Sequence, residues 1–184
     1  MRVIAGDKKG RALIAPKGED TRPTLERVKE AVFGIVQFEL FSSNVLDLFA
    51  GSGALGIEAL SRGAKKCVFC DASRAAISVI KQNLEKVGYT ENEATVLEMD
   101  FEAALNRLKA LDEKFDIVFI DPPYAEGLYE KTLDMLFNGG LLKEEFTVIV
   151  EHDKRVEIPP CKGTVMKTKR YGDVRITVIR GEYA

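Results

Sequence analysis

The sequence predicts an α/β protein: a mostly parallel sheet with helices on both faces, finished by an antiparallel hairpin. Three observations carry this. From Val45 to Val150, short apolar runs alternate with segments of helical period, which is the pattern of repeated βα units. The first of these runs, Val45-Leu46-Asp47-Leu48-Phe49, breaks into Ala50-Gly51-Ser52-Gly53-Ala54-Leu55-Gly56, so a strand, a glycine turn and a helix start follow one another. Near the end, 163–170 and 174–180 are strand-like and joined only by Tyr171-Gly172-Asp173. Parallel strands need a long crossover, so this joint makes an antiparallel pair.

The elements follow in order. Runs 2–5 and 11–14, around Gly6-Asp7-Lys8-Lys9-Gly10, read as a β-hairpin with a basic tip. Pro16 and Gly18 mark a loop. Arg22-Pro23-Thr24 then opens a helix in which Leu25, Val28, Val32, Ile35 and Val36 recur at helical spacing to about Phe38, with Thr24 as the expected N-cap. Strand 45–49 leads to a helix around 53–62. Strand 67–70 leads to a helix from Arg74 to about Val87. Strand 94–98 leads to a helix from Phe101 to about Leu111. Strand 115–120 leads to Asp121-Pro122-Pro123-Tyr124 and a helix over about 127–137, and strand 146–150 follows. The expected organisation is one domain over 1–184, with a basic hairpin extension at 1–20 and the catalytic core at 21–184.

Bulk properties narrow the classes. A chain of 184 residues with 46% hydrophobic and 30% charged residues can bury a core and is not of disordered composition. No apolar run approaches the roughly 20 residues of a membrane span, and Met1–Lys9 lacks the apolar stretch of a secretory signal. A cytoplasmic protein without membrane partners is expected. The net charge of −2 does not advertise nucleic-acid binding, but Arg2, Lys8, Lys9, Arg11, Lys17 and Arg22 cluster near the start. Lys162, Lys167, Lys169, Arg170 and Arg175 cluster near the end, and such local basic faces can track phosphates. Cys67 and Cys70 form C-x-x-C. On a strand, residues three apart face opposite sides, so the pair cannot share a metal. Cys161 is isolated, and no metal is called for.

The candidate chemistry sits where strands end, because open α/β sheets bind ligands beyond the carboxyl ends of their strands. Gly51, Gly53 and Gly56 match G-x-G-x-x-G, in which glycines let backbone approach a ligand and a helix start offers N–H groups. Asp47, on the strand before the glycines, suits a cationic ligand better than a pyrophosphate. S-adenosylmethionine (SAM), with its ammonium and sulfonium, is such a ligand. Asp71, 20 residues after Gly51, falls where an acid accepts hydrogen bonds from ribose hydroxyls. Asp100 could take an adenine amino group while Phe101 packs on the ring; Asp100 is equally suited to cap a helix.

Asp121-Pro122-Pro123-Tyr124 is the sharpest signal. An exocyclic amine on a base is a poor nucleophile because its lone pair is delocalised into the ring. The Asp121 carboxylate and the Pro122 carbonyl can draw its hydrogens out of plane. Two prolines hold those oxygens rigidly, and Tyr124 offers a ring on which an unstacked base can stack. His152, the single histidine, is read as a surface or structural residue rather than as a general base.

Asp47-Leu-Phe-Ala-Gly-Ser-Gly and Asp121-Pro-Pro-Tyr resemble motifs I and IV of class I amino-methyltransferases. Gly6…Gly10-Arg11, the run Arg22-Pro23-Thr24-Leu25-Glu26-Arg27-Val28-Lys29-Glu30-Ala31-Val32-Phe33, and Tyr171-Gly172-Asp173-Val174 are more specifically similar to the RsmD-type bacterial 16S rRNA guanine-N2 methyltransferases. The resemblance covers essentially the whole chain. It implies a seven-stranded Rossmann-like sheet, SAM as cofactor, and methylation of a guanine N2 amine in small-subunit rRNA, on an assembled or assembling 30S particle. It implies that Asp47, Ala50, Gly51, Gly53, Asp71, Asp100 and Phe101 bind the cofactor, with Arg22, Pro23 and Thr24 folding over its amino-acid end. Asp121, Pro122 and Tyr124 would hold the guanine amine. Lys8, Lys9 and Arg11 are expected to dock rRNA phosphates, and a monomer is expected. Competing readings are an amine methyltransferase acting on another base or a protein amide, a nicotinamide dehydrogenase, and a non-catalytic assembly factor.

Overall fold

The computed structural model describes residues 1–15, 23–123 and 127–181, the side chains of 23–25 excepted. The elements are α1 (Pro23–Val36), β1 (Asn44–Asp47), α2 (Ala54–Ser61), β2 (Lys66–Asp71), α3 (Arg74–Val87), β3 (Ala94–Glu98), α4 (Phe101–Ala110), β4 (Phe115–Ile120), α5 (Leu128–Asn138), β5 (Leu142–Asp153), β6 (Thr164–Tyr171) and β7 (Val174–Gly181). Local chemistry sets several boundaries. Ser73 caps α3 by accepting from the Ala76 amide, and Gly88 ends that helix in the left-handed region. Helix α1 begins at Pro23, a proline pre-set for the first helical position, so Thr24 lies inside the first turn rather than capping it.

The seven strands form one sheet in the order β3-β2-β1-β4-β5-β7-β6. Strands β1 to β5 are parallel, and β7 runs antiparallel between β5 and β6. Apolar side chains alternate between two cores as strand geometry requires. Val45, Cys67, Phe69, Ile117, Phe119 and Ile149 pack with α1, α2 and α3 on one face, while Leu46, Val68, Cys70, Val118, Ile120 and Val148 pack with α4 and α5 on the other. The order of strands reverses between β1 and β4, which is the switch point where open α/β sheets leave a crevice. No helix among the described residues is long and apolar enough to cross a membrane.

The N-terminal hairpin forms, but it is not a ladder. Leu13 N–H donates to the Met1 carbonyl and Val3 N–H to the Arg11 carbonyl, both at 2.9 Å, around one antiparallel bridge, Arg2 with Ala12. The N–H groups of Ile4 and Ala5 turn away from the partner run and donate to the Glu58 carboxylate of α2, at 2.9 Å each.

Candidate active site

Register brings the strand-end carboxylates to one edge. Asp47 pairs with Phe69 of β2 on one side and Phe119 of β4 on the other, so Asp71 and Asp121 each stand two residues beyond it. Asp71 pairs with Glu98, and Asp100 stands two residues beyond that. The four carboxylates therefore line the carboxyl edge of the sheet, on both sides of the switch point.

The glycine loop is built on two of them. Gly51, at φ +57°, donates its N–H to Asp71 Oδ2 at 2.9 Å, and Ser73 N–H donates to Asp71 Oδ1 at 2.8 Å. Asp71 thus ties the loop after β1 to the turn after β2. Gly53, at φ +80°, is the N-cap of α2, and no side chain caps the helix. Gly56 lets α2 lie on β2: an added Cβ would fall 2.3 Å from a ring carbon of Phe69. Its N–H donates to Asp47 Oδ2 at 3.1 Å. Asp47 is 2% exposed, and burial pushes its pKa up to about 7, against the Gly56 N–H, which favours the charged form. Among the described residues no cation pairs with it. Ala50 lies within the same turn, its N–H donating to the Cys70 carbonyl at 2.9 Å.

On the flank, Asp100 caps α4, its Oδ1 accepting from the Ala103 amide at 2.8 Å. Phe101 is half-buried, with its ring centroid 5.7 Å from that of Phe49. Phe49, unassigned in the sequence reading, is the aromatic neighbour that fixes this wall. Across the switch point, Asp121 is exposed at the end of β4, Pro122 is buried and Pro123 is exposed. Tyr124 and Arg22 lie outside the described residues, as do the side chains of Pro23 and Thr24.

Two buried polar residues tie the N-terminal hairpin to the helices. Asn83, in the middle of α3, is fully buried. Its Nδ2 donates to the Ser52 carbonyl of the glycine loop at 2.9 Å and to the Ile14 carbonyl at 3.0 Å, while its Oδ1 accepts from the Ile14 N–H at 2.7 Å. One side chain therefore joins the glycine loop to the end of the N-terminal hairpin. Glu58, also fully buried, accepts from Ile4, Ala5, Lys29 at 3.0 Å and Arg62 at 2.9 Å. Burial alone would raise its pKa, but the Ile4 N–H and the Lys29 ammonium outweigh it and hold the carboxyl below its usual range. The Asn83→Ala variant is expected to lose about 1–3 kcal/mol, since three backbone groups lose their partner. Urea unfolding checks this, and an unchanged midpoint contradicts it.

The basic tip stands elsewhere. Asp7 N–H donates to the Ser61 carbonyl at the far end of α2. Eight residues of helix separate that point from the glycine loop, about 12 Å. Lys8 is 3.7 Å from Asp7 and lies over the Tyr89 ring at 5.3 Å, whereas Lys9 and Arg11 are exposed. His152 is 3% exposed, with its Nε2 2.7 Å from Thr177 Oγ1, and burial lowers its pKa. That is a structural histidine. Cys67 and Cys70 face opposite cores, and burial pushes the Cys70 thiol up to about 12.

Comparison with known proteins bears on this geometry. A family model described as conserved hypothetical protein 95 matches residues 1–180. Ribosomal RNA small subunit methyltransferase D of Haemophilus influenzae is 37% identical over 177 residues, covering 95% of this chain and 90% of that protein. The solved structure of the Escherichia coli protein yhhF superposes with a TM-score of 0.85 at 31% identity, covering 99% of this chain and 98% of that one. A magnesium protoporphyrin IX methyltransferase from Synechocystis PCC 6803, solved with bound SAM, superposes with a TM-score of 0.65 over 91% of this chain and 87% of that one; at 18% identity it shares the fold alone.

Proposed function

The chain belongs to the family described as conserved hypothetical protein 95, and we propose that it transfers a methyl group from SAM to the exocyclic N2 amine of a guanine in small-subunit rRNA. The observation that carries the reading is the pairing, across one switch point, of the glycine loop and its acids with Asp121-Pro122. The residue set fits the cofactor. Gly51 is open, with no atom within 4 Å of an added Cβ, and the buried Asp47 carboxylate beside it has no cation of its own among the described residues. When bound, SAM supplies an electrophilic methyl on a sulfonium.

The chain's own residues do the rest. Asp71 takes ribose hydroxyls while keeping the loop closed through Gly51. Asp100 and Phe101 receive the adenine, with Phe49 behind Phe101. Asp47 offsets positive charge from beneath the loop, and Arg22 to Thr24 close over the amino-acid end. At the substrate side, Asp121 and the Pro122 carbonyl accept hydrogen bonds from the two N–H groups of the guanine amine, and Tyr124 stacks on the base. With its lone pair so localised, the amine nitrogen would be presented to the methyl group that bound SAM would supply, and the amine proton would leave to solvent. Lys8, Lys9 and Arg11 add phosphate contacts away from the crevice.

Asp47 gives the reading a pH signature. With its pKa raised from 3.8 to about 7, ionising it in the folded apo protein costs stability, so that stability falls as pH rises between those values. A cation nearby favours the ionised form. SAM affinity should therefore rise with pH through about 7, with proton release on binding near pH 6, and Asp47→Asn should remove both. Calorimetry in buffers of different ionisation enthalpy checks this; flat affinity from pH 6 to 8 contradicts it. The function itself is tested by tritiated methyl transfer to 30S subunits, naked 16S rRNA and 50S subunits from cells lacking the gene. Label in the small-subunit substrates is expected, and label confined to 50S overturns the reading.

A further inference from the structure

We propose that the C-terminal hairpin β6–β7 is the main docking surface for the rRNA backbone, with Lys162, Lys167, Lys169 and Arg170 meeting its phosphates. This rests on the rRNA reading above and adds where the substrate lies. Strand β6 is the outer edge of the sheet, with β7 as its one neighbour. Residues 162, 167, 169 and 170 are all exposed. Among the described residues none of these four cations is paired with a carboxylate. The adjacent Arg175 and Lys154 are held instead, Arg175 by Glu157 at 3.2 Å and Lys154 by Asp173 at 2.5 Å. Four exposed basic side chains between residues 162 and 170 make a local field that the overall charge of −2 hides. A sheet edge also leaves backbone N–H groups unpaired, and these can donate to phosphate oxygens.

Position relates this patch to the crevice. Tyr171 pairs with Val174, and Val174 pairs with Asp153 at the end of β5. The turn at 171–173 therefore lies at the same sheet edge as Asp121, and β4 is three strand spacings away, roughly 14 Å. Strand alternation puts Lys167 and Lys169 on one face with Tyr171, and Arg170 on the other. Cations thus flank the edge from both sides, as a passing phosphate chain requires. Lys169 lies 5.5 Å from the Tyr171 ring centroid, next to the turn. At the N-terminal tip Lys8 has the Asp7 carboxylate 3.7 Å away, whereas among the described residues Lys167 and Lys169 have no carboxylate within ion-pair distance. Edge lysines also discourage sheet-to-sheet pairing, and that role alone would leave RNA binding untouched by their loss.

The test compares three variants of the full chain: K167Q/K169Q/R170Q, its charge-conserving counterpart K167R/K169R/R170K, and K8Q/K9Q/R11Q. Binding to 16S rRNA or 30S subunits, whichever the wild type methylates, is measured over a salt series. The neutral hairpin variant is expected to lose at least about tenfold in affinity at low salt and to lower the salt slope by roughly 2–3. Its SAM affinity and thermal midpoint should match wild type, and the charge-conserving variant should bind as wild type does. An unchanged slope in the neutral hairpin variant overturns the proposal, as does a larger loss from the N-terminal variant. If the wild type transfers methyl to rRNA while the slope is unmoved, only the docking surface falls. If the wild type labels no RNA, the rRNA reading falls and takes the docking surface with it.

Discussion

Replacing Asp121 by alanine is expected to slow methyl transfer about 10²–10³-fold while leaving SAM affinity within about twofold. The argument is one of placement. Asp121 stands beyond β4, across the switch point from the glycine loop, and is exposed, whereas Asp71 holds the glycine loop through the Gly51 N–H. Its proposed partner is the guanine amine. Removing it takes away one of two acceptors that localise the nitrogen lone pair, and the Pro122 carbonyl remains. Asp121→Asn should fall between wild type and alanine, since it retains one acceptor oxygen and loses the charge. Single-turnover transfer gives the rate and calorimetry gives the SAM affinity. A variant that transfers at the wild-type rate would remove Asp121 from the chemistry. A variant that loses SAM binding to the same degree as transfer would move it to the cofactor side.

The Glu58→Ala variant is expected to lose about 3–5 kcal/mol of stability, because it strands a buried partner rather than removing a neutral pair. Lys29 has a side chain only 9% exposed, and burial already lowers its pKa against the pull of Glu58. Without Glu58 its ammonium is left with the Arg2 carbonyl, at 2.9 Å. The Ile4 and Ala5 amides lose their acceptor at the same time, so the hairpin loses its hold on α2. For a chain of this length the thermal midpoint should drop by about 10 °C. Glu58→Gln keeps an acceptor and should cost less. Thermal unfolding of both variants checks the ranking, and an unchanged midpoint for alanine would show that the cluster contributes little net stability.

Much of this was legible in the chain. Helix Arg74–Val87 and strands Ala94–Glu98 and Phe115–Ile120 form where their period places them. The C-terminal pairing follows from a joint too short for a crossover, as β6 and β7 bear out. The reading of Cys67 and Cys70 on opposite faces follows from strand alternation alone, and the two cores receive one each. Where local pattern fails, long-range partners have decided. Strand β5 begins at Leu142, four residues before the expected start, because Leu142 pairs with Phe115 across a register shift that Lys143-Glu144-Glu145 conceals in the sequence. Asn83 and Glu58 look like ordinary polar positions on helices, yet each is buried by backbone more than fifty residues away in the chain. A carboxylate set among Ile57, Ala59 and Leu60 was the available hint for Glu58. Asp47 reads as a ligand-facing acid; in the structure its carboxylate is buried and accepts from the Gly56 N–H.

The most direct measurement is the identity of the methylated nucleoside. 30S subunits and naked 16S rRNA from cells lacking the gene would be incubated with the protein and labelled SAM, digested to nucleosides and resolved by chromatography with mass detection. The account predicts N2-methylguanosine as the labelled product, formed far more slowly with Asp121→Ala. A methyladenosine, a methylated protein amide, or SAM binding with no labelled product would contradict it.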